Sequence, residues 1–219
     1  MKFTSIRNYL RFYNLILLTS WVLFSFSGFA QNETTEEVLE KFEDGSPKTI
    51  GYFIIEKNMK KKLKEEEFYE SGKRKLQQAH LLTKLHGDWT MWYETEEVKA
   101  TGSYVDGLKH GKESWLYQNG NKSKECTYEN GDPQGEWKYW FENGEKWKER
   151  NFADSLPNGK WMEWYLNGEK KQQGEMLNGK ANGQWMWWYE NGKKYKELTY
   201  KNDTLHGIFS FFYPDGTMQ

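Results

Sequence analysis

The sequence predicts an all-β protein, built as an elongated, single-layer antiparallel meander of repeated β-hairpins. Three observations lead to this prediction: glycines that recur every 24 residues, Asn-Gly pairs between strand-like runs, and an aromatic content of 18% in 219 residues. A disordered chain would lack the aromatic residues, whereas an ordinary globular core would use more Leu, Ile and Val. A single sheet whose faces are covered by broad rings accounts for both departures.

The 24-residue period is marked by one glycine and one following ring in each unit. The glycines are Gly87, Gly111, Gly135, Gly159, Gly183 and Gly207, and six residues after them come Tyr93, Tyr117, Phe141, Tyr165, Tyr189 and Tyr213. Such a period predicts a stacked repeat architecture. The predicted repeat domain covers 41–219, with units near 36–62, 63–86, 87–110, 111–134, 135–158, 159–182, 183–206 and 207–219.

The turn of each hairpin is predicted from an Asn-Gly pair. These pairs are Asn119-Gly120, Asn143-Gly144, Asn167-Gly168 and Asn191-Gly192. Both residues tolerate positive φ, which predicts two-residue type I′ turns and places Trp140 opposite Trp147 and Trp188 opposite Tyr195. The unit 87–110 has Thr95-Glu96 instead, so a longer, distorted or weaker hairpin is expected there, and a longer connection is expected between units.

The two faces of the sheet are expected to differ. Alternation along the strands places Trp137, Trp161 and Trp185 on one face, which we expect to be the better buried. In unit 111–134 Glu113 replaces the tryptophan, and Trp115 can supply a ring to the same face. The other face carries a row of tryptophans that are the candidate ligand-binding residues: Trp92, Trp140, Trp164 and Trp188.

The N-terminus predicts export. Lys2, Arg7 and Arg11 precede an apolar run and a small-residue end at Ala30, which is typical of a secretory signal peptide over residues 1–30. An uncleaved anchor is the alternative, although the run is short for a membrane span. Cleavage would remove three of 31 cations and none of 32 acids, leaving a net charge of −4 that makes nucleic acid an improbable partner. A flexible linker is expected over 31–40.

Catalytic and metal chemistry are not expected. His86, His110 and His206 each precede a repeat glycine, and adjacent units would hold them about 9.6 Å apart, which favours turn residues over metal ligands. Cys126 is the only cysteine and is interpreted as a small strand residue. The sequence contains no nucleophile elbow, phosphate loop or H-E-x-x-H motif, so neither an enzyme nor a cofactor is predicted.

The repeat resembles the variant MORN repeat, and bacterial proteins of this type are often labelled YwqK-family antitoxins. The segments 159–168 and 183–192 and the return strand 194–200 carry the resemblance. It implies a protein-binding or lipid-associated scaffold. We therefore expect a periplasmic, outer-envelope or secreted scaffold with an unidentified protein partner. Glycan binding through the aromatic face is the alternative, and an antitoxin role or association with a membrane surface comes third.

Overall fold

Residues 34–219, which the computed structural model describes, form one antiparallel β-sheet. Its 16 strands are β1 (Thr34–Lys41), β2 (Pro47–Glu56), β3 (Met59–Phe68), β4 (Arg74–Leu81), β5 (Lys84–Trp92), β6 (Val98–Val105), β7 (Leu108–Lys109), β8 (Gly111–Leu116), β9 (Lys122–Glu129), β10 (Asp132–Trp140), β11 (Lys146–Ala153), β12 (Leu156–Trp164), β13 (Lys170–Leu177), β14 (Lys180–Trp188), β15 (Lys194–Lys201) and β16 (Thr204–Phe211). They lie side by side in chain order, with the short β7 paired only with β6. The predicted antiparallel meander is confirmed.

Most connections between units are type I′ turns; at Leu82-Thr83 only Leu82 has positive φ. Asn130 and Gly131 both have positive φ, at 51° and 90°, and the residues around them pair directly as Glu129 with Asp132. Asn178-Gly179 has the same conformation. The expectation of a longer connection between units is therefore wrong, because these turns reverse the chain with only two residues.

The Asn-Gly turns within the units have a different geometry from the predicted one. Phe141 N–H donates to Glu145 O at 2.9 Å and Gly144 N–H donates to Phe141 O at 2.9 Å. Gly144 has a φ of 91°, whereas Asn143 is not among the residues with positive φ, so the loop is a type I turn followed by a G1 bulge. The Asn143 side chain instead accepts a 3.0 Å hydrogen bond from Glu145 N–H.

This three-residue loop shifts the register next to the turn. Trp140 pairs with Lys146 rather than Trp147, and Trp188 pairs with Lys194 rather than Tyr195. Further from the turn the pairs are those that a two-residue loop predicts: Trp137 with Arg150, Lys138 with Glu149, Gly135 with Phe152, Trp185 with Leu198 and Gly183 with Tyr200.

The hairpin of unit 87–110 has the same turn as the others. Tyr93 N–H donates to Glu97 O, and Glu96 N–H to Tyr93 O, both at 2.9 Å. Glu96 takes the glycine position with a φ of 77°, so the expected longer or distorted loop is wrong. The two hydrogen bonds impose the common geometry, and the cost appears as backbone strain at Glu96.

The N-terminal boundary of the sheet needs correction. Thr34–Lys41 form strand β1 against β2, where a flexible linker was expected over 31–40. All eight residues of β1 are exposed. Backbone pairing and exposed ion pairs, such as Lys48 with Glu40 at 2.6 Å, hold this strand without the ring pattern that marks the repeats. The predicted signal peptide at 1–30 lies outside the described residues.

Packing concentrates on the face of the sheet that was expected to be better buried. Trp89, Trp137 and Trp185 are between 5% and 9% exposed. Trp137 lies between Tyr128 and Phe152, with ring centroids 5.1 and 4.9 Å away. We call the row Trp89, Trp137, Trp161 and Trp185 the aromatic spine; it is the core of this one-layer protein.

Candidate functional site

The four candidate tryptophans lie in equivalent positions on the face opposite the spine. Trp92, Trp140, Trp164 and Trp188 are all half-buried. Each has a cation from the preceding unit over its ring: Arg74 at 5.2 Å from Trp92, Lys122 at 5.7 Å from Trp140, Lys146 at 5.5 Å from Trp164 and Lys170 at 5.7 Å from Trp188. These four cations and four rings define the cation-capped face.

Neighbouring polar groups hold the lysines over the rings. Lys122 Nζ lies 2.7 Å from Glu125 Oε1, and Lys146 Nζ lies 2.7 Å from Glu149 Oε1. Lys170 makes the corresponding contact with Gln173 at 3.0 Å. At Trp140, Trp164 and Trp188 a lysine and its acceptor therefore lie on top of the ring, so that a ligand meets these polar groups before it meets the aromatic surface.

The repeated tyrosines join one unit to the next. The hydroxyl of each donates to the main-chain carbonyl 23 residues later: Tyr69 to Trp92, Tyr93 to Leu116, Tyr117 to Trp140, Tyr165 to Trp188 and Tyr189 to Phe212, all at 2.8–2.9 Å. Phe141 stands at this position without a hydroxyl. The recurring tyrosine is thus a structural connector between units.

The turn asparagines have a similar connecting role. Asn119 Nδ2 donates to Glu142 O and Asn167 Nδ2 donates to Glu190 O, both at 2.8 Å. Asn191 reaches Pro214 O at 3.0 Å. These bonds stack the turns along one edge of the sheet, which explains why asparagine recurs although its backbone does not need positive φ.

The repeat glycines bend the strands. Gly87, Gly111, Gly135, Gly159, Gly183 and Gly207 all have positive φ, between 63° and 96°. At Gly135 the pairing of β10 with β9 shifts between Gln134 and Lys138. Only glycine adopts this conformation without strain, so these six positions are architectural.

Two polar side chains interrupt the spine face, and sequence reasoning did not assign them a role. Arg150 is 7% exposed and its guanidinium carbon lies 3.8 Å from the Trp161 ring centroid. Glu113 is 3% exposed and accepts hydrogen bonds from Lys109 at 2.6 Å and Trp115 at 2.7 Å. Arg150 stands where the other units have a neutral residue, and Glu113 stands where the other units from residue 87 onward have Trp or Phe; this difference is the signal that could have identified them.

The environment of Glu113 fixes its ionisation. Burial alone would raise the pKa of this carboxyl, but the hydrogen bonds from Lys109 and Trp115 and the charges of Lys109 and Lys124 outweigh it, so the pKa lies below its ordinary value. Trp115 also packs against Trp89, with ring centroids 6.1 Å apart, as the sequence suggested. Glu113 is therefore a charged part of the core.

Cys126 lies beside this carboxylate. It is 2% exposed, and burial raises the pKa of its thiol. A buried, protonated thiol is a poor nucleophile, so Cys126 fits the strand role that the sequence predicted.

The prediction that the histidines are turn residues is wrong, because His86 and His206 lie in strands β5 and β16, and His110 lies between β7 and β8. His86 Nδ1 lies 3.5 Å from Asp106 Oδ1. Within residues 34–219, no group of three or more His, Cys, Asp or Glu side chains is placed to hold a metal ion. The same part of the chain contains no helix long and apolar enough to span a membrane.

Comparison with known families agrees with this geometry. Residues 85–106, 109–130, 133–154, 181–202 and 205–219 match the family described as MORN repeat variant. A comparison with curated proteins finds no match. Residues 155–180, between two matched segments, have the same hairpin, with Tyr165 N–H bonded to Glu169 O at 2.8 Å. With variant MORN repeats across residues 85–219, the chain belongs to the MORN-repeat proteins.

Proposed function

We propose that this protein is an exported, non-enzymatic scaffold that binds another protein in the bacterial envelope through its cation-capped face. MORN-repeat scaffolds typically mediate binding and are generally not catalytic. The export part of the proposal rests on the basic lead and the apolar run within residues 1–30. The binding part rests on the surface described above.

The supporting observation is the regular spacing of charged pairs over rings. Lys122 with Glu125, Lys146 with Glu149 and Lys194 with Glu197 repeat the same contact in successive or near-successive units. Since each unit adds two strands, the Lys122 and Lys146 pairs are about 9.6 Å apart, and the Lys194 pair lies two units, about 19 Å, beyond Lys146. A fixed row of alternating charges suits an extended protein segment. The sheet already holds these charged groups in place, so each contact adds to the others without a cost for ordering the scaffold.

Stacking of sugars on the same rings is less well supported. A sugar would have to displace Lys122 from Trp140 or Lys146 from Trp164 before it reached the ring. An exposed cation–π contact contributes about 0.5–1 kcal/mol, and each such contact also has an ion pair or hydrogen bond attached to it. The arrangement therefore favours recognition of the charged groups themselves.

The experiment is chemical crosslinking in intact cells that produce the tagged protein, followed by mass spectrometry of the captured partner. The double variant Lys122→Gln plus Lys146→Gln removes two charges from the cation-capped face. Its matched control is Lys148→Gln plus Lys196→Gln, which removes two lysines that cover Trp147 and Trp187. We expect capture with the wild type and the control, and a loss of about tenfold with the first variant.

Equal capture of the partner by both double variants would contradict binding through the cation-capped face. Cell fractionation tests the other part, since recovery of the protein only from the cytoplasm would contradict export.

A further inference from the structure

A groove lies on the cation-capped face where strands β12, β13 and β14 run side by side. It encloses about 340 Å³, and its lining includes Met162, Gln173 and Met186. Met162 pairs with Gln173, and Gln173 pairs with Met186. Neighbouring strands are about 4.8 Å apart, so the two methionines stand on either side of the Gln173 amide. Met162 lies two residues before Trp164 and Met186 two before Trp188, which places both methionines on the face of those rings.

The row of side chains that crosses this groove is charged in the preceding unit. Lys138 pairs there with Glu149, and these two residues stand 24 positions before Met162 and Gln173. The row therefore changes from alternating charges to two apolar side chains around a neutral amide. Methionine is unbranched and polarizable, so a pair of them adapts to apolar groups of different shape. This part of the face is thus suited to an apolar side chain.

Gln173 also changes the polarity of its unit. In the preceding unit Lys146 lies 2.7 Å from a carboxylate oxygen of Glu149, whereas Lys170 Nζ lies 3.0 Å from Gln173 Oε1. Within residues 34–219 Lys170 forms no ion pair, so its charge is not compensated. The contact with Lys170 uses the amide oxygen and leaves the NH2 group of Gln173 as a donor. An ammonium group beside an amide donor favours a carboxylate as ligand.

The surroundings of the groove add no further net charge. Lys160 and Glu175, which both line it, are exposed and pair directly across β12 and β13. Glu197, the next carboxylate along the row, is paired with Lys194. The excess charge at the groove is therefore the single positive charge of Lys170, and it is complementary to one carboxylate.

We infer that this groove is the specificity pocket of the cation-capped face, and that it takes an apolar side chain of the partner protein that lies two residues from a carboxylate. The inference rests on the proposed function, since it names the partner's chemistry at that face. The apolar side chain enters between Met162 and Met186, and the carboxylate accepts from Lys170 and Gln173. In an extended segment, residues two apart point to the same side about 6.6 Å from each other, which lets both groups reach one unit.

The test follows the methionine methyl groups of the purified full chain, as processed by the producing cell, by NMR. The probe is the peptide acetyl-Glu-Ser-Leu-Ser-Glu-amide, which presents a carboxylate on either side of its leucine. We expect saturable shifts of Met162 and Met186 with a dissociation constant on the order of 1 mM. Met91, two residues after Trp89 on the spine face, should not shift. Replacing both Glu of the peptide by Gln, or its Leu by Ala, should weaken binding about tenfold.

Gln173→Glu is the variant that tests the pocket itself. It restores the carboxylate found at Glu149 and Glu197, so the fold already accommodates this residue at equivalent positions. It compensates Lys170 and removes the amide donor, and it should therefore weaken peptide binding about tenfold or more. Gln172→Glu is the matched control, because it adds the same charge one residue away on the opposite face and should leave the binding unchanged.

The crosslinking experiment separates this inference from the proposed function, because Lys122 and Lys146 lie outside the groove. Loss of capture with Lys122→Gln plus Lys146→Gln, combined with peptide binding that Gln173→Glu does not weaken, would overturn the pocket and keep the face. Unchanged capture combined with Gln173-dependent peptide binding would overturn the proposed function and keep the groove as a peptide site. No shift of Met162 and Met186 at about 10 mM peptide, or equal shifts with the Gln-containing peptide, would overturn the inference.

Discussion

The hydroxyl of Tyr117 donates a 2.8 Å hydrogen bond to the main-chain carbonyl of Trp140, 23 residues later in the next repeat. The same bond recurs along the sheet and couples each hairpin to its successor. It also orders the strand end from which Trp140 projects to the cation-capped face. Phe141 occupies the same position in its unit but has no hydroxyl, so the hydrogen bond is missing there. This position provides a direct way to measure the contribution of the bond.

Phe141→Tyr should stabilise the protein. Its new hydroxyl is placed to donate to the Trp164 carbonyl, and a hydrogen bond of this kind contributes about 0.5–1.5 kcal/mol to the free energy of unfolding. Urea denaturation measures the change. Tyr117→Phe is the matched reverse change and should lose a similar amount; if neither variant alters the free energy of unfolding, the connecting role is wrong.

Glu96→Gly should also stabilise the protein, by about 1 kcal/mol. Glu96 has a φ of 77°, a conformation that is unfavourable for a residue with a Cβ atom and easily adopted by glycine. Thermal or urea unfolding checks the sign. Gly120→Ala, at the same turn position in the next unit with a φ of 84°, should destabilise, and a loss of stability with Glu96→Gly would contradict the shared turn geometry.

Gly174→Ala should destabilise the aromatic spine by about 1–3 kcal/mol. A Cβ atom at this position would lie 2.2 Å from a ring carbon of Trp185, so the indole has to move. The exposed neighbour Glu175 provides a control, since Glu175→Ala should change the free energy of unfolding by less than about 0.5 kcal/mol. Similar values for the two variants would show that Trp185 does not pack over Gly174.

Glu113 should make stability depend on pH in the acid range. Its folded-state pKa is lower than its ordinary value of 4.5, so its ionised form stabilises the folded state above that value. This contribution is lost as the pH falls through the folded-state pKa. The free energy of unfolding, measured from neutral pH to about pH 3, should therefore fall more steeply for the wild type than for Glu113→Gln. Parallel curves would contradict the buried ion-pair assignment.

The sequence was sufficient for the architecture because the 24-residue offsets fix which residues are equivalent. It was insufficient for the turns because the same dipeptide serves two geometries. Asn130-Gly131 has positive φ at both residues, whereas at Asn143-Gly144 only the glycine does. The two turns differ in loop length. Glu129 pairs with Asp132 around a two-residue loop, whereas Phe141 N–H bonds to Glu145 O around a three-residue loop.

The sequence predicted which tryptophans lie on the cation-capped face, but it did not predict the cations that cover their rings. The positions of Trp140 and Trp164 follow from strand alternation. Lys122 lies 18 residues before the Trp140 ring that it covers, so the contact joins different hairpins and depends on the register of the assembled sheet. β1 was missed for a related reason, since an edge strand held by backbone pairing needs no pattern of buried side chains.

Under the proposed function, Trp92, Trp140, Trp164 and Trp188 support a charged protein-binding surface and are not open platforms for sugars. Sedimentation of the protein with insoluble peptidoglycan tests this claim most directly, with Lys122→Ala plus Lys146→Ala to uncover two rings and Trp140→Ala plus Trp164→Ala to remove them. We expect the wild type to stay in the supernatant. Retention of the wild type on peptidoglycan, increased when the lysines are removed and abolished when the tryptophans are removed, would contradict it.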